Sequence, residues 1–195
     1  MELMTELVNM VLDELAIKKC VIVGHSMGGY VAIEFAEAYA SKVKGLVIFH
    51  AHAQADTPEG KINRDRAIKA IEADHAGFIN LFVTELFAKD NVEKYQKQIK
   101  KLQKQSGKTS NKAVIAALQG MKIRKDRWHI LKNGSFRKFM IISKKDPVLD
   151  YESLINKSKN SNIDVVEFPD GHMSHIENKE LFLQNITHFI DFYSF

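Results

Sequence analysis

CVIVGHSMGGY, residues 20–30, combines a short β-branched run with a serine that stands between glycines. Residues 21–23 favour a strand, and the amphipathic run 27–40 that follows favours a helix. Ser26 is therefore predicted at a sharp strand–turn–helix junction. Glycines suit such a junction because they lack a Cβ atom and let a neighbouring segment pass closely. The motif alone is weak evidence, but in this setting it predicts Ser26 as a nucleophile on a strained turn.

Length and composition are those of one globular domain, or of one domain with an insertion. The chain has 195 residues, of which 45% are hydrophobic and 27% are charged. Its single cysteine, Cys20, excludes a disulfide framework and fits a reducing compartment. No apolar run approaches the ~20 residues that a membrane span needs. The first residues lack the basic region of a signal peptide, so we expect a cytoplasmic protein with no membrane partner.

The net charge of +4 hides a strongly basic segment. Residues 94–145 contain 16 Lys and Arg and one acid, Asp126, whereas the rest of the chain has 12 basic and 23 acidic side chains. Such a segment can attract nucleic acid or an anionic substrate. The lysines of residues 94–104 surround a narrow apolar stripe at helical spacing, and no nucleic-acid-binding motif accompanies them. We therefore favour a solvated helical face and expect no nucleic-acid partner.

The order of the predicted elements favours an α/β fold with a parallel sheet of about four strands and flanking helices. The predicted strands are 20–23, 43–49, 139–143 and 163–168. The helices that alternate with them are 2–16, 27–40, 151–158 and 177–193. Four further helical patterns, too many for one crossover, follow the second strand at 56–73, 75–88, 92–105 and 111–121. We therefore predict a discontinuous core of residues 1–52 and 136–195, interrupted by an inserted helical cap over residues 53–135.

The third and fourth strands are each followed by a residue that could complete a catalytic triad with Ser26. Asp146 follows the third strand in SKKDPVL (143–149), and His172 follows the fourth in DGHMSHIE (170–177). The carboxyl ends of parallel strands meet at one edge of a sheet, so these side chains are expected close to the serine. A serine nucleophile needs a base within hydrogen-bond reach, and the base needs an acid that orients it.

With these three segments the chain resembles the α/β-hydrolase fold family, and the resemblance covers essentially all of its length. The cap corresponds to the variable cap of that family. The resemblance implies Ser26 as nucleophile, His172 as general base and acid, and Asp146 as the group that orients the imidazole. It also implies the backbone N–H of Met27 as an oxyanion donor and a small-molecule substrate, with no cofactor and no metal.

The acid and the base each have a competitor in sequence. Asp150 lies in the same loop as Asp146, and His175 lies three residues beyond His172. We favour His172 because the family places its catalytic histidine directly after a glycine.

Three further residues are predicted near the substrate. His25, next to Ser26 in the strand–turn–helix junction, is expected to pack or to contact substrate rather than to act as the base. His50 follows the second strand and is expected to line the pocket. A metal site formed by His50 and His52 is disfavoured because no carboxylate or cysteine stands close in sequence. Trp128, in the cap, is predicted either to line the pocket or to pack within the cap.

The α/β-hydrolase sheet has further strands before the helix that opens this chain, and one of their loops carries a second oxyanion N–H. Residues 1–19 cannot supply them. We therefore expect strand 20–23 to form an apolar sheet edge, covered by the N-terminal helix or by a second copy of the protein. Loss of one oxyanion donor costs about 10²–10³ in turnover. Weak or absent esterase activity is therefore expected, unless a partner or the cap supplies the donor.

Two functions follow from these residues. The first is a serine hydrolase that acts on a small carboxylic ester, thioester or lactone. The alternative is a non-catalytic binding or assembly module that keeps the triad residues on the same fold.

Overall fold

The computed structural model describes residues 1–159 and 161–192. Within these residues four parallel strands form one sheet in the order β1-β2-β3-β4. Their bounds are β1 Cys20–His25, β2 Val43–Phe49, β3 Arg137–Ser143 and β4 Asp164–Phe168. All four carboxyl ends lie along one edge of the sheet. The structure therefore confirms the predicted α/β fold with a four-stranded parallel sheet.

The helices follow the predicted order, with differences of a few residues at most ends. Their bounds are α1 Glu2–Glu14, α2 Met27–Ala38, α3 Pro58–Ala73, α4 His75–Glu85, α5 Gln96–Ser106, α6 Asn111–Lys122, α7 Trp128–Asn133, α8 Tyr151–Ser158, α9 Ser174–Glu177 and α10 Lys179–Asp191. The sequence did not predict α7 or α9, because helices of six and four residues are too short to show a period. The predicted end of the last helix, Tyr193, lies outside the described residues.

Helices cover both faces of the sheet. Successive side chains of a strand point to opposite faces, and the two faces form separate buried clusters. One face packs against α2 through Leu46, Ile48, Met140 and Ile142. The other packs against α10 through Val47, Phe49, Phe139 and Ile141. Both faces of the central strands are therefore buried, as their continuous apolar sequences predict.

The segment between β2 and β3 folds as helices α3–α7. Thr57 caps α3 and accepts a hydrogen bond from the Gly60 N–H, with Pro58 in the first turn. Asp74 caps α4 in the same way. A third apolar cluster lies among α4, α5 and the segment 170–177 that carries His172, here called the histidine loop. It includes Val83, Phe87, Ile99 and Met173. The division into a core and a cap over residues 53–135 stays a prediction.

Strand β1 lies at one end of the sheet and pairs with β2 alone among the described strands. Helix α1 packs on α2, where the Thr5 hydroxyl donates to the carbonyl of Val31. Val23 is 44% exposed, and one face of α1 also presents apolar side chains to solvent, including Leu3 and Met10. The N-terminal helix therefore leaves the β1 edge open. Within the described chain, none of the helices has the length and apolar character that a membrane crossing requires.

Candidate active site

Ser26 lies between the last residue of β1 and the first of α2, in a left-handed backbone conformation with φ 53° and ψ −120°. Such a conformation is strained for a residue with a side chain and costs about 1–3 kcal/mol. The sharp turn also places the N–H of Met27 in the first turn of α2, where N–H groups have no intrahelical acceptor. Ser26 therefore lies directly beside the backbone N–H groups at the start of α2, which have no intrahelical acceptor.

Two glycines allow this turn because the strand and the helix nearly touch. A Cβ atom on Gly24 would lie 2.3 Å from the carbonyl oxygen of Gly28, and one on Gly29 would lie 2.3 Å from the Cβ of Ala51. A Cβ atom on Gly28 would meet nothing within 4 Å. Sterically, glycine is therefore required at Gly24 and at Gly29. Gly29 lies one residue beyond Gly28, the second glycine of the Gly-x-Ser-x-Gly pattern.

Asp146 and His172 form the shortest contact among the candidate residues. The Nδ1–H of His172 donates to Oδ2 of Asp146 at 2.8 Å. The side chains are 2% and 0% exposed, respectively. The other carboxylate oxygen, Oδ1, accepts from the backbone N–H groups of Val148 and Leu149 at 2.8 and 3.1 Å. The carboxylate is therefore held on both oxygens. Because it only accepts, His172 carries its proton on Nδ1, which leaves Nε2 free to act as a base.

The serine is not joined to this pair. The Nε2 atom of His172 is buried and has no hydrogen-bond partner among the described residues. Hydrogen bonds of a catalytic site are often absent or long without substrate. At the sheet edge, Asp146 and His172 are thus hydrogen-bonded to each other, and Nε2 of His172 is left as an acceptor without a donor among the described residues.

The loop that carries His172 is fastened to the segment after α4. The His172 backbone N–H donates to the Leu86 carbonyl at 2.8 Å. A Cβ atom on Gly171 would lie 2.4 Å from the backbone nitrogen of Ala88, so only glycine fits there.

Glu177, which is buried, ties the same two segments together. One of its carboxylate oxygens accepts from the Ala88 N–H and the Asn91 amide, both at 2.9 Å, and the other accepts from the Gly171 N–H at 3.1 Å. The sequence gave no signal for this role, since the contacts join residues up to 89 positions apart.

Four histidines crowd the end of the sheet. The ring of His25 lies 5.2 Å from that of His172, 5.9 Å from that of His50 and 4.9 Å from that of His175, measured between centroids. Burial lowers the pKa of His25 to about 3, and the neighbouring His172 contributes to the shift. Since a neutral imidazole has one N–H and a carbonyl only accepts, the Nε2–H of His25 donates to the carbonyl of His172 at 3.0 Å.

The competing residues have other contacts. Asp150 caps α8 and accepts from the Ser153 N–H at 3.0 Å. His175 packs on His25 and Phe49, and its Nδ1 atom is buried without a partner in the described chain. Burial lowers its pKa as well. Neither residue takes the position that Asp146 and His172 occupy.

Two residues predicted near the substrate, His50 and Trp128, are buried or half-buried in the structure. His50 is 1% exposed and enclosed between the acid and histidine loops rather than on a pocket surface. Trp128 begins α7 and packs, half-buried, against the core cluster. His52 is two residues beyond His50, and burial lowers its pKa to about 4. Residues 1–159 and 161–192 contain no cluster of three or more side chains arranged to hold a metal.

The family model described as serine aminopeptidase, S33, matches residues 4–172 of the chain. A stretch of 43 residues is 46% identical to homoserine O-acetyltransferase of Thermus thermophilus and covers 22% of this chain and 11% of that protein. The match thus spans about a tenth of the length of that curated relative.

Solved structures with the same fold include two hydrolytic enzymes. A thermophilic esterase from Thermogutta terrifontis is 26% identical, with a TM-score of 0.80 over 93% of this chain and 68% of its own. The enol-lactonase from Burkholderia xenovorans LB400 is 18% identical, with a TM-score of 0.85 over 96% of this chain and 71% of its own. The second likeness shows the fold alone.

Proposed function

Because the chain belongs to the serine aminopeptidase family S33 of α/β hydrolases, we propose that it cleaves a small carboxylic ester, thioester or lactone through Ser26. The observation that carries this proposal is the buried contact of 2.8 Å between His172 and Asp146, at the sheet edge where strained Ser26 begins a helix. The likeness to an esterase at 26% identity supports the class of substrate.

In the proposed reaction the Ser26 hydroxyl attacks the carbonyl carbon of the substrate while Nε2 of His172 takes its proton. Asp146 stabilises the imidazolium that forms by accepting its Nδ1–H. The carbonyl oxygen becomes an oxyanion, and the Met27 N–H at the start of α2 donates to it. Collapse of the tetrahedral intermediate breaks the bond to the leaving oxygen or sulfur, which takes the proton from His172. The products of this half-reaction are the free alcohol or thiol and a Ser26 ester; with a lactone, the alcohol remains part of the acyl group on Ser26.

A second half-reaction restores the serine. His172 removes a proton from water, the hydroxide attacks the Ser26 ester, and the intermediate releases a carboxylic acid while the proton returns to the serine oxygen. An alcohol in place of water would give transfer of the acyl group instead. The 43-residue similarity to an O-acetyltransferase makes such acceptors worth including in assays.

A fluorophosphonate probe tests the proposal directly, because it labels only an activated serine. We expect labelling of the wild type at Ser26, identified by mass spectrometry of the modified peptide, and turnover of p-nitrophenyl acetate. The Ser26→Ala variant should lose both. A folded wild-type chain that neither reacts with the probe nor turns over the ester would overturn the proposal.

A binding or assembly module that keeps the triad residues is the second candidate function. One observation favours it, namely that Nε2 of His172 has no partner within the described residues, Ser26 included. Such a module would bind an ester or its product without cleaving it. Calorimetric binding with no Ser26 labelling would support this second function.

A further inference from the structure

His50 stands in an unusual backbone conformation directly after β2. Its φ is 48°, in the left-handed region, and it is one of three residues other than glycine with a positive φ in the described chain. The other two are Ala16 and Ser26. Its side chain is fully buried. A strained conformation of a buried residue persists only where its surroundings hold it in place, which occurs most often at functional sites.

The His50 ring contacts both loops that carry the proposed acid and base. Its Nε2 atom lies 2.7 Å from Oγ of Ser174, two residues after His172, and 3.4 Å from Oγ of Ser143. Its Nδ1 atom lies 3.5 Å from Oδ2 of Asp146. This is the same carboxylate oxygen that accepts from His172. The ring therefore links the end of β2 to the acid loop on one side and to the histidine loop on the other.

The surroundings of the ring determine which nitrogen holds its proton. Burial lowers the pKa of His50 well below its usual value, so the ring is neutral and has a single N–H. If that N–H were on Nε2, the lone pair of Nδ1 would face the carboxylate of Asp146, which is repulsive. The favourable tautomer has Nδ1–H directed at Asp146 and Nε2 accepting from the Ser174 hydroxyl.

We infer that His50 is a positioning residue that shares Asp146 with His172 and fixes the carboxylate between the two loops. The inference rests on the proposed function and names a group for it that does not touch substrate. At 3.5 Å the Nδ1–H is not yet hydrogen-bonded to the carboxylate. The contact can shorten when substrate is bound, as catalytic hydrogen bonds often do. Ser174 holds the other nitrogen and so prevents the ring from turning away.

The effect of His50 on the base has a definite sign. A second donor on Oδ2 competes with His172 for that oxygen and so weakens the stabilisation of protonated His172. Without His50 the protonated form, which cannot act as a base, persists to higher pH. The titratable groups that face His50 are Asp146, His172, His25 and His175. Burial lowers the pKa values of the two that are not proposed as triad members, His25 and His175.

Two substitutions separate the two nitrogens of the ring. Asparagine places its amide nitrogen near the position of Nδ1 and tolerates a left-handed backbone, so His50→Asn keeps a donor toward Asp146. Glutamine reaches the position of Nε2 instead, so His50→Gln keeps the contact with Ser174 and loses that donor. His129→Gln, at an exposed residue paired with Glu37, is the matched control.

The readout is nuclear magnetic resonance of histidine labelled with ¹⁵N, which does not require turnover. We expect the Nδ1–H tautomer for His50 in the wild type. We also expect the titration midpoint of His172 to rise by about half to one pH unit in His50→Gln, and to stay unchanged in His50→Asn and His129→Gln. In kinetics, the acid limb of kcat/KM should move by the same amount in His50→Gln. Because the Asp146 carboxylate is then no longer fixed between the two loops, kcat should fall about tenfold while KM stays unchanged.

The outcomes distinguish this inference from the proposed function. An Nε2–H tautomer of His50 in the wild type overturns the inference, even if His50→Gln does not fold. An unchanged His172 midpoint in a folded His50→Gln variant overturns it as well. The predicted tautomer and midpoint shift in a chain whose Ser26 is inert would support the positioning contact and refute the proposed hydrolase.

Discussion

The two halves of the candidate site are held in very different ways. The acid and histidine half is buried between loops that several hydrogen bonds fasten to the segment after α4, and its central contact is 2.8 Å long. The serine half lies on β1, the strand at the end of the sheet, where Val23 is 44% exposed. His172 and Asp146 are therefore fixed by interactions within the described chain. The position of Ser26 depends more on what pairs with the β1 edge.

The largest loss of turnover is expected from a substitution of Asp146. Asp146→Asn presents an amide to Nδ1 of His172 and favours the wrong tautomer, so turnover of p-nitrophenyl acetate should fall about 10⁴-fold. Asp150→Asn is the matched control, because asparagine caps a helix as well as aspartate does. We expect this control to keep wild-type turnover. Equal losses in the two variants would mean that the buried half of the site is not the catalytic half.

The second prediction concerns the fastening of the histidine loop. Glu177→Ala leaves the buried N–H groups of Ala88 and Gly171 without an acceptor. Each unsatisfied buried group costs about 1–3 kcal/mol, so the free energy of unfolding should fall by roughly 3–5 kcal/mol. Urea denaturation followed by circular dichroism measures the change. Glu180→Ala, at an exposed residue of α10, should change stability by less than about 0.5 kcal/mol.

Glu177→Ala also tests whether the two halves of the site are held independently. If Glu177→Ala remains folded, the loop that carries His172 is loosened while β1 and Ser26 are not touched. Turnover should then fall more than the rate of fluorophosphonate labelling does, because proton transfer to the leaving group also needs a positioned imidazole. Unchanged stability would show that the histidine loop is not held by Glu177.

Much of this arrangement follows from the sequence, and the rest depends on contacts between distant segments. Alternating hydrophobic strands and helices predict the parallel sheet, and its topology brings Ser26, Asp146 and His172 to one edge. Glu177 and Ser174 could not be found in this way. Their partners Ala88 and His50 lie 89 and 124 positions away, and nothing local marks a buried glutamate or serine as a link.

His50 illustrates the same limit in another form. Its place after β2 follows from the sequence, which predicted that it lines the pocket. Its burial depends on how the two later loops close over it, and that closure is set by tertiary packing. The sequence thus predicts which residues follow each strand, but not which of their side chains tertiary packing buries.

The third prediction is acid sensitivity of folding caused by His52, which packs beside Tyr30 and Arg124, outside both halves of the site. In the unfolded chain the imidazole of His52 takes up a proton near pH 6.5, whereas burial lowers its pKa in the folded protein to about 4. Between these values the unfolded state binds more protons, so stability falls as pH falls. Between pH 6.5 and 5 the loss from His52 should be about 1.5 kcal/mol.

Denaturation at several pH values measures this contribution. A folded His52→Gln variant should lose less stability than the wild type between pH 6.5 and 5, whatever its stability at pH 7. His129→Gln, at an exposed position, should keep the wild-type slope. A His52→Gln slope equal to that of the wild type would argue against a neutral, buried His52.

The smallest effect on stability, and the most direct test of the open half, is expected at the β1 edge. Val23→Lys puts a charge on an exposed position of β1, so the free energy of unfolding should change by only about 0.5 kcal/mol. A charged edge resists pairing with another strand.

If a second copy covers the edge in solution, the wild type should sediment as a dimer at high concentration and Val23→Lys as a monomer. Ile62→Lys on α3, with a similar exposure of 51%, should leave the dimer intact. A wild type that stays monomeric at high concentration would contradict pairing between copies. Ser26 would then begin its helix beside an uncovered strand, and the difference between the two halves of the site would persist in solution.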